Sequence, residues 1–246
     1  TFSFYRPRWH RVRHLGRKQR VTESRGMAIL IEHPCVQHKL GIIRDVETGH
    51  KRFRELATEI TKFVCYEALK TIKTKQVTVQ TPVAPATCRK IDTDIVVVPI
   101  LRAGVGMLEG ILELVPTARV GFVGLYRDEK TKQPVTYYER FPRHIKGGTC
   151  IVIDPMIATG GSTVAALDLL KENGAANIVV ICIVTCPEGI EVVEAAHPDV
   201  TVYAAAIDEE LNEKKYIVPG LGDAGDRLFG TSEHSDISAW LKTRHR

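Results

Sequence analysis

The chain has 246 residues, 44% of them hydrophobic and 26% charged, with a formal charge of +5. That length suits one large α/β domain or two small ones, with a core that needs neither disulfides nor a metal. No apolar run approaches the length of a bilayer span, and no secretory apolar region is present.

The charge is unevenly placed. The first 25 residues hold eight Arg or Lys and one acid, Glu23, a net of +7 that leaves −2 for the rest. Such an Arg-rich, acid-poor tail suits a targeting peptide, a nucleic-acid-binding arm or a remnant of expression. Residues 1–26 are expected to be a disordered extension, 27–231 the globular domain and 232–246 a second extension.

From Met27 the composition turns globular. His33 and His38 stand near Cys35 in a short polar stretch ahead of the first helix, and read as structural or solvent-facing. FRELATEITKFVCYEALK places Phe53, Leu56, Ile60, Phe63 and Val64 on one helical face. DIVVVPI reads as a fully buried strand, GVGMLEGILELV as a helix stopped by Pro116, and RVGFVGLY as a strand. The polar, aromatic and β-branched run from Arg127 to Gly147 predicts a protruding hairpin or arm. CIVID (strand), GSTVAALDLLKENG (helix), NIVVICIVT (strand), PEGIEVVEAAHP (helix) and VTVYAAAI (strand) follow. This alternation implies an α/β fold, a mostly parallel sheet with helices on both faces.

The six cysteines form no C-x-x-C pair and are expected as buried or reduced thiols of a cytoplasmic protein. The nine histidines show no metal-ligand spacing. No serine–histidine pairing can be read from the spacing either.

Three stretches stand out. IVIDPMIATGGSTVAALDLL runs from a strand to an amphipathic helix whose first turn is Gly160-Gly161-Ser162-Thr163. A helix N-terminus presents unpaired N–H groups and a positive dipole end, the means of holding a phosphate. The glycines let backbone approach the anion, and Thr159, Ser162 and Thr163 add hydroxyls. Asp154 ends the strand; it would repel a phosphate, so it is expected to face ribose hydroxyls or a metal. The plain alternative is an N-capped helix after a tight turn. The stretch lacks both G-x-x-x-x-G-K-[ST] and G-x-G-x-x-G, which argues against an NTPase and a dinucleotide enzyme.

VVVPILRAGVGM repeats the strand–loop–helix plan. Arg102 stands at a strand end ahead of Ala103-Gly104, and Arg127 directly follows another strand. Two such arginines suggest a second anionic group. KYIVPGLGDAGDRLFGT reads as too irregular for a regular element; it is either a surface connection or a frame of exposed backbone groups able to read a flat heterocycle.

Together, HPCVQHKLGIIRD, KRFRELATEI, VPILRAGVGM, IVIDPMIATGGS, PEGI and YIVPGLGDAGDRLFGT closely resemble the uracil phosphoribosyltransferases of bacterial type, from about His33 to Thr231. The resemblance implies a phosphoribosyltransferase-type fold with a β-arm and an irregular base-binding loop region. It implies that uracil and phosphoribosyl pyrophosphate (PRPP) give UMP and diphosphate in pyrimidine salvage, with Mg²⁺ carried by the diphosphate and no metal ligands of the protein's own.

By the same resemblance Asp154, Pro155, Met156, Ile157, Ala158, Thr159, Gly160, Gly161 and Ser162 hold the ribose 5-phosphate, with Asp154 on the ribose hydroxyls. Arg102 and Arg127 serve the diphosphate. Ile217, Gly222, Asp223 and Ala224 frame uracil, Asp223 also touching PRPP, and Asp223 and Arg102 are the catalytic candidates. The wider phosphoribosyltransferase pattern has two adjacent acids; here Pro155 follows Asp154, as in the uracil branch. A homodimer or homotetramer is implied, with GTP as a candidate effector. Two other classes stay open: an RNA-binding regulator on the same fold, for which the basic tail speaks weakly, and a catalytically silent relative, against which Arg102 and Gly222-Asp223-Ala224 speak.

Overall fold

The computed structural model describes residues 28–127 and 134–231. The expected extensions, 1–26 and 232–246, lie outside the described residues. The chain enters with β1 (Ala28–Leu30) and passes into helix α1 (Pro34–Arg44), where the sequence reading expects a polar stretch. Pro34 takes the first helical turn, where a missing N–H costs nothing, and the His33 ring accepts from the Cys35 N–H at 3.2 Å. Val36, Leu40 and Ile43 are buried at helical spacing, a stripe that the polar residues between them obscure.

Helix α2 (His50–Ala68) buries Phe53, Leu56, Ile60 and Val64, with Phe63 packed at the core margin. A hairpin absent from the sequence reading follows, β2 (Thr74–Gln80) against β3 (Pro85–Ile91), with Thr74 opposite Ile91. Its side chains are almost all exposed, so neither strand shows the apolar alternation that marks a buried face.

β4 (Ile95–Leu101) is buried almost throughout and leads into α3 (Val105–Leu114), which stops short of Pro116. The expected strand after it is broken at Gly121 into β5 (Arg119–Val120) and β6 (Phe122–Arg127). The expected arm is present as the antiparallel pairing of β6 with β7 (Pro134–Arg140). Then come β8 (Thr149–Ile153), β9 (Met156–Ile157), α4 (Gly161–Glu172), β10 (Asn177–Thr185), α5 (Pro187–Ala196) and β11 (Thr201–Ile207). The segment read as irregular, 215–231, contains two short elements: β13 (Ile217–Val218), paired with β12 (Glu210–Leu211) ahead of the segment, and helix α6 (Ala224–Phe229). They are too short to carry a legible period.

The main sheet runs β1-β11-β10-β8-β4-β6-β7, with β5 on β4 and β9 on β10. Its pairings are parallel except β6–β7. Alternation along the strands sorts their side chains into two cores. Ile95, Val97, Ile151, Ile153, Ile181 and Ile183 pack with α1, α2, α3 and α6; Val96, Val98, Cys150, Val152, Val180 and Cys182 pack with α4 and α5.

From β4 the chain runs outward to β6 and β7, then returns to β8 on β4's other side and continues outward to β10 and β11. The helix after β4 lies on one face and the helix after β8 on the other. This divergence opens a crevice between the carboxyl ends of β4 and β8, the place where open α/β sheets bind ligands.

Helices α2 and α3 cross closely at Gly110, where a Cβ would lie 2.6 Å from the Thr58 carbonyl oxygen and 3.2 Å from Thr61 Cβ. Overpacking here outweighs the helix propensity alanine adds. Gly110→Ala is expected to destabilise the chain by about 1–3 kcal/mol, read as a fall in thermal midpoint; an unchanged midpoint would contradict the close crossing.

Candidate active site

Strands β4 and β8 are neighbours with Pro99 opposite Ile153, so Arg102 and Asp154 leave the sheet side by side. After Asp154 the chain stays tied to the sheet: the Pro155 carbonyl accepts from the N–H groups of Ile183 and Val184 at 3.1 and 3.0 Å. The Ile157 carbonyl accepts from Thr185 Oγ1 at 3.0 Å and the Ala158 carbonyl from Cys186 Sγ at 3.3 Å. Gly189, in the first turn of α5, presses on the same two carbonyls; a Cβ there would lie 2.6 and 2.5 Å from them. The carbonyls of this loop thus point inward, to β10 and α5.

The loop ends at the N-terminus of α4. Its cap residue is Gly160, at φ 76° in the left-handed region, and no side chain caps the helix. The alternative of an N-capped helix therefore fails. Gly161 and Thr159 leave the first turn open: the nearest atom to a Cβ on Gly161 would be Thr159 Oγ1, at 3.9 Å. The first N–H groups of the helix have no intrahelical acceptor, and the dipole there is positive.

A cleft of about 230 Å³ lies beside this turn, lined by Ala103, Asp154, Pro155, Met156, Ala158, Lys215, Tyr216, Ile217 and Gly222 to Gly225. The structure thus gathers Asp154, Pro155, Met156, Ala158, Ile217, Gly222, Asp223 and Ala224, all singled out in the sequence, around one space. Ile157, Thr159, Gly160, Gly161 and Ser162 continue the loop into α4. Arg102 is largely exposed, with Nη2 3.8 Å from Asp226 Oδ1, and a Cβ on Gly225 would lie 4.0 Å from that same nitrogen. Arg127 closes β6 at the same edge of the sheet; its side chain lies outside the described part. The Leu101–Arg102 and Val218–Pro219 peptide bonds are cis.

Sequence reasoning missed Ala103, Lys215, Tyr216 and Gly225 as lining residues. Lys215 has φ 66°, unusual for a residue with a Cβ, and no sequence pattern announces it. Tyr216 and Ile217 come from the β12–β13 hairpin. Asn212 N–H bonds Tyr216 O at 2.9 Å and Glu209 N–H bonds Val218 O at 3.1 Å. Alternation therefore leaves the N–H and C=O of Ile217 on the edge away from β12. Asp223 caps α6, its Oδ1 accepting from Asp226 N–H at 2.8 Å, which leaves Oδ2 for the cleft. Burial pushes the Asp154 carboxyl up to about 7, opposed by one weak bond, Met156 N–H to Oδ1 at 3.4 Å. Among the described residues no three His, Cys, Asp or Glu are grouped to hold a metal ion, and no helix is long and apolar enough to cross a membrane.

Comparison with known proteins gives concordant results. A family model described as uracil phosphoribosyltransferase matches residues 30–231. The chain is 56% identical over 203 residues to a uracil phosphoribosyltransferase of Halalkalibacterium halodurans, covering 82% of this chain and 97% of that one. It is 54% identical over 204 residues to the enzyme of the same name from Symbiobacterium thermophilum, covering 82% and 98%. The solved structure of an Aquifex aeolicus protein superposes with a TM-score of 0.80 at 37% identity, covering 84% of this chain and 99% of that one.

Asp154 makes a test of linkage. Its folded pKa is raised, so the stability it contributes is fully present below about pH 4 and is lost as pH rises through about 7. Asp154→Asn cannot ionise. The variant is expected to melt on the order of several degrees above the native chain at pH 8 and level with it at pH 4. An equal gap at both pH values would contradict the burial assigned to this carboxyl.

Proposed function

The chain belongs to the uracil phosphoribosyltransferase family and performs its pentosyl transfer, uracil and PRPP giving UMP and diphosphate in pyrimidine salvage; we propose that the cleft between β4, β8 and the 217–225 segment carries it out with the following roles. The uncapped N-terminus of α4 and the loop N–H groups from Ala158 to Ser162 grip the ribose 5-phosphate, with the hydroxyls of Thr159 and Ser162 as further donors. Asp154, ionised, accepts from the ribose hydroxyls. Pro155, Met156 and Ile157 form the bed that sets the distance between these two contacts. Arg102 and Arg127 receive the diphosphate. The Ile217 backbone and the Gly222-Asp223-Ala224 turn frame uracil, and Asp223 stands close enough to both substrates to position them.

The chemistry asks little covalent work of the protein. The bond from C1 to the diphosphate oxygen breaks ahead of attack, leaving an oxocarbenium-like ribose, and uracil N1 forms the new bond to C1 as its proton passes to solvent water. The diphosphate leaves with the electron pair of the broken bond. Among the described residues that line the space between Asp154 and the Gly222–Ala224 turn there is no Ser, Cys or His, which suits a reaction that needs positioning and charge stabilisation instead of a protein nucleophile. A backbone carbonyl accepting from N3–H suits uracil and disfavours cytosine, which has no proton there; a polar mismatch of this kind discriminates by roughly 10⁴.

Mg²⁺ is the cation expected with PRPP. The diphosphate oxygens would carry the ion, and the carboxylates lining the cleft, Asp154 and Asp223, are compatible with its charge without being its ligands. When bound, the ion neutralises charge on the departing diphosphate. Residues 27–231 form the catalytic unit. Exposed Tyr126, Tyr137 and Tyr138 on the β6–β7 arm suit assembly into a homo-oligomer. Six free cysteines suit a cytoplasmic setting.

The observation that carries this reading is the juxtaposition of Asp154, Ala158 and the Gly222–Ala224 turn on one cleft, with the loop running on from Ala158 directly into the uncapped start of α4. Its test is UMP formation with uracil, cytosine and orotate side by side, with and without Mg²⁺. Turnover of uracil alone, dependent on Mg²⁺, is expected; equal use of cytosine would contradict the base frame. Added GTP raising the rate at fixed substrate would support its effector role, and an unchanged rate would remove it. Asp223→Ala is expected to nearly abolish UMP formation with the fold intact by circular dichroism; undiminished turnover would take Asp223 out of the site. Arg102→Ala is expected to raise KM for PRPP far more than KM for uracil, whereas equal loss for both would indicate general damage.

A further inference from the structure

The base frame is glycine-rich, with Gly220 and Gly222 at φ 61° and 73°, and such a backbone does not hold its shape unaided. Discrimination by backbone hydrogen bonds needs the donors and acceptors fixed to within about half an ångström. What fixes them lies behind the cleft. Arg44, the last residue of α1, forks onto Asp208, Nη1 to Oδ2 at 2.7 Å and Nη2 to Oδ1 at 2.6 Å. Arg44 Nη1 also donates to the Gly220 carbonyl at 2.9 Å, and Gly220 N–H donates to Asp208 Oδ2 at 2.8 Å. Both backbone groups of one glycine are therefore consumed by a single ion pair.

The pair is firmly set. The Asp208 side chain is 6% exposed and that of Arg44 24%, so their attraction is poorly screened. Asp208 N–H bonds Thr185 O at 2.7 Å, anchoring it to the end of β10. A second tie acts one residue on: Arg227 donates from Nη1 to Leu221 O at 2.9 Å and from Nη2 to Asp45 O at 2.6 Å, returning to the end of α1. Gly220 packs so tightly on Ile217 that a Cβ would lie 2.2 Å from the Ile217 oxygen. Neither Arg44 nor Asp208 lines the cleft.

We infer that Arg44 and Asp208 are positioning residues for base selection: through Gly220 they hold the Ile217 backbone and the Gly222–Ala224 turn at the separation uracil requires. This rests on the reading that those two backbone segments frame the base. The phosphate loop is held by other contacts, to β10 and α5, so the effect of the clamp falls mainly on the base, PRPP meeting the held turn only at Asp223.

The test varies uracil and PRPP separately for Arg44→Lys, which keeps the charge but loses the fork, and for Asp208→Asn, which keeps an acceptor for Gly220 N–H. For both, KM for uracil is expected to rise about tenfold or more, KM for PRPP to stay within about twofold, and preference for uracil over cytosine to fall. Equal rises in both KM values, or an unchanged KM for uracil in an active variant, would overturn the inference. Native chain without UMP formation would instead defeat the functional reading itself. A measurement needing no variant completes the test: in the unliganded native chain the Gly220 amide is expected to be protected from hydrogen exchange. Exchange at the rate of an open amide would overturn the clamp even if both variants fail to fold.

Discussion

Anion binding by the bare N-terminus of α4 is the interaction on which the rest of the proposed site depends. A helix start left without a side-chain cap is an unmet demand for acceptors, and here the cap residue is a glycine in the left-handed region. In the proposed site an anion from outside the chain would meet that demand. To aim the N–H groups outward the fold turns the loop's carbonyls inward, onto β10, Thr185 and Cys186, and lets α5 approach closely enough that Gly189 touches them. The proposed phosphate site is thus a property of three elements and the tight contacts between them.

Topology then places the other groups relative to that anchor. Because the chain leaves β4 toward one edge of the sheet and β8 toward the other, the residues after these two adjacent strands emerge beside one crevice. Asp154 and Arg102 are those residues. One is a carboxylate whose burial favours its protonated form, the other an exposed guanidinium. Ionising Asp154 without a ligand is costly, while hydroxyl donors of a bound ribose would offset that cost.

Much of this was legible in the chain itself. The strands around Val97, Val152 and Ile181 are apolar runs of strand length between turn residues, and the α4 and α5 helices carry clear periods, so the parallel sheet and the glycine-bearing loop before α4 follow from pattern. The candidate site residues from Asp154 to Ser162 and from Ile217 to Ala224 are marked by glycine placement and by family resemblance. What escaped notice has physical reasons. Helix α1 has only three buried side chains set among polar ones. The β2–β3 hairpin has no buried face to leave a period. The arginine ties from Arg44 and Arg227 to the base segment span more than a hundred residues or join backbone atoms, and neither kind of contact writes itself into local sequence.

The most direct measurement is a crystal structure of the protein with PRPP and Mg²⁺ bound. The account predicts the 5-phosphate within hydrogen-bond distance of the N–H groups between Thr159 and Thr163, with the ribose hydroxyls on Asp154 and C1 facing the turn at Asp223. A 5-phosphate bound at any other point of the chain, with the start of α4 left to solvent, would contradict it.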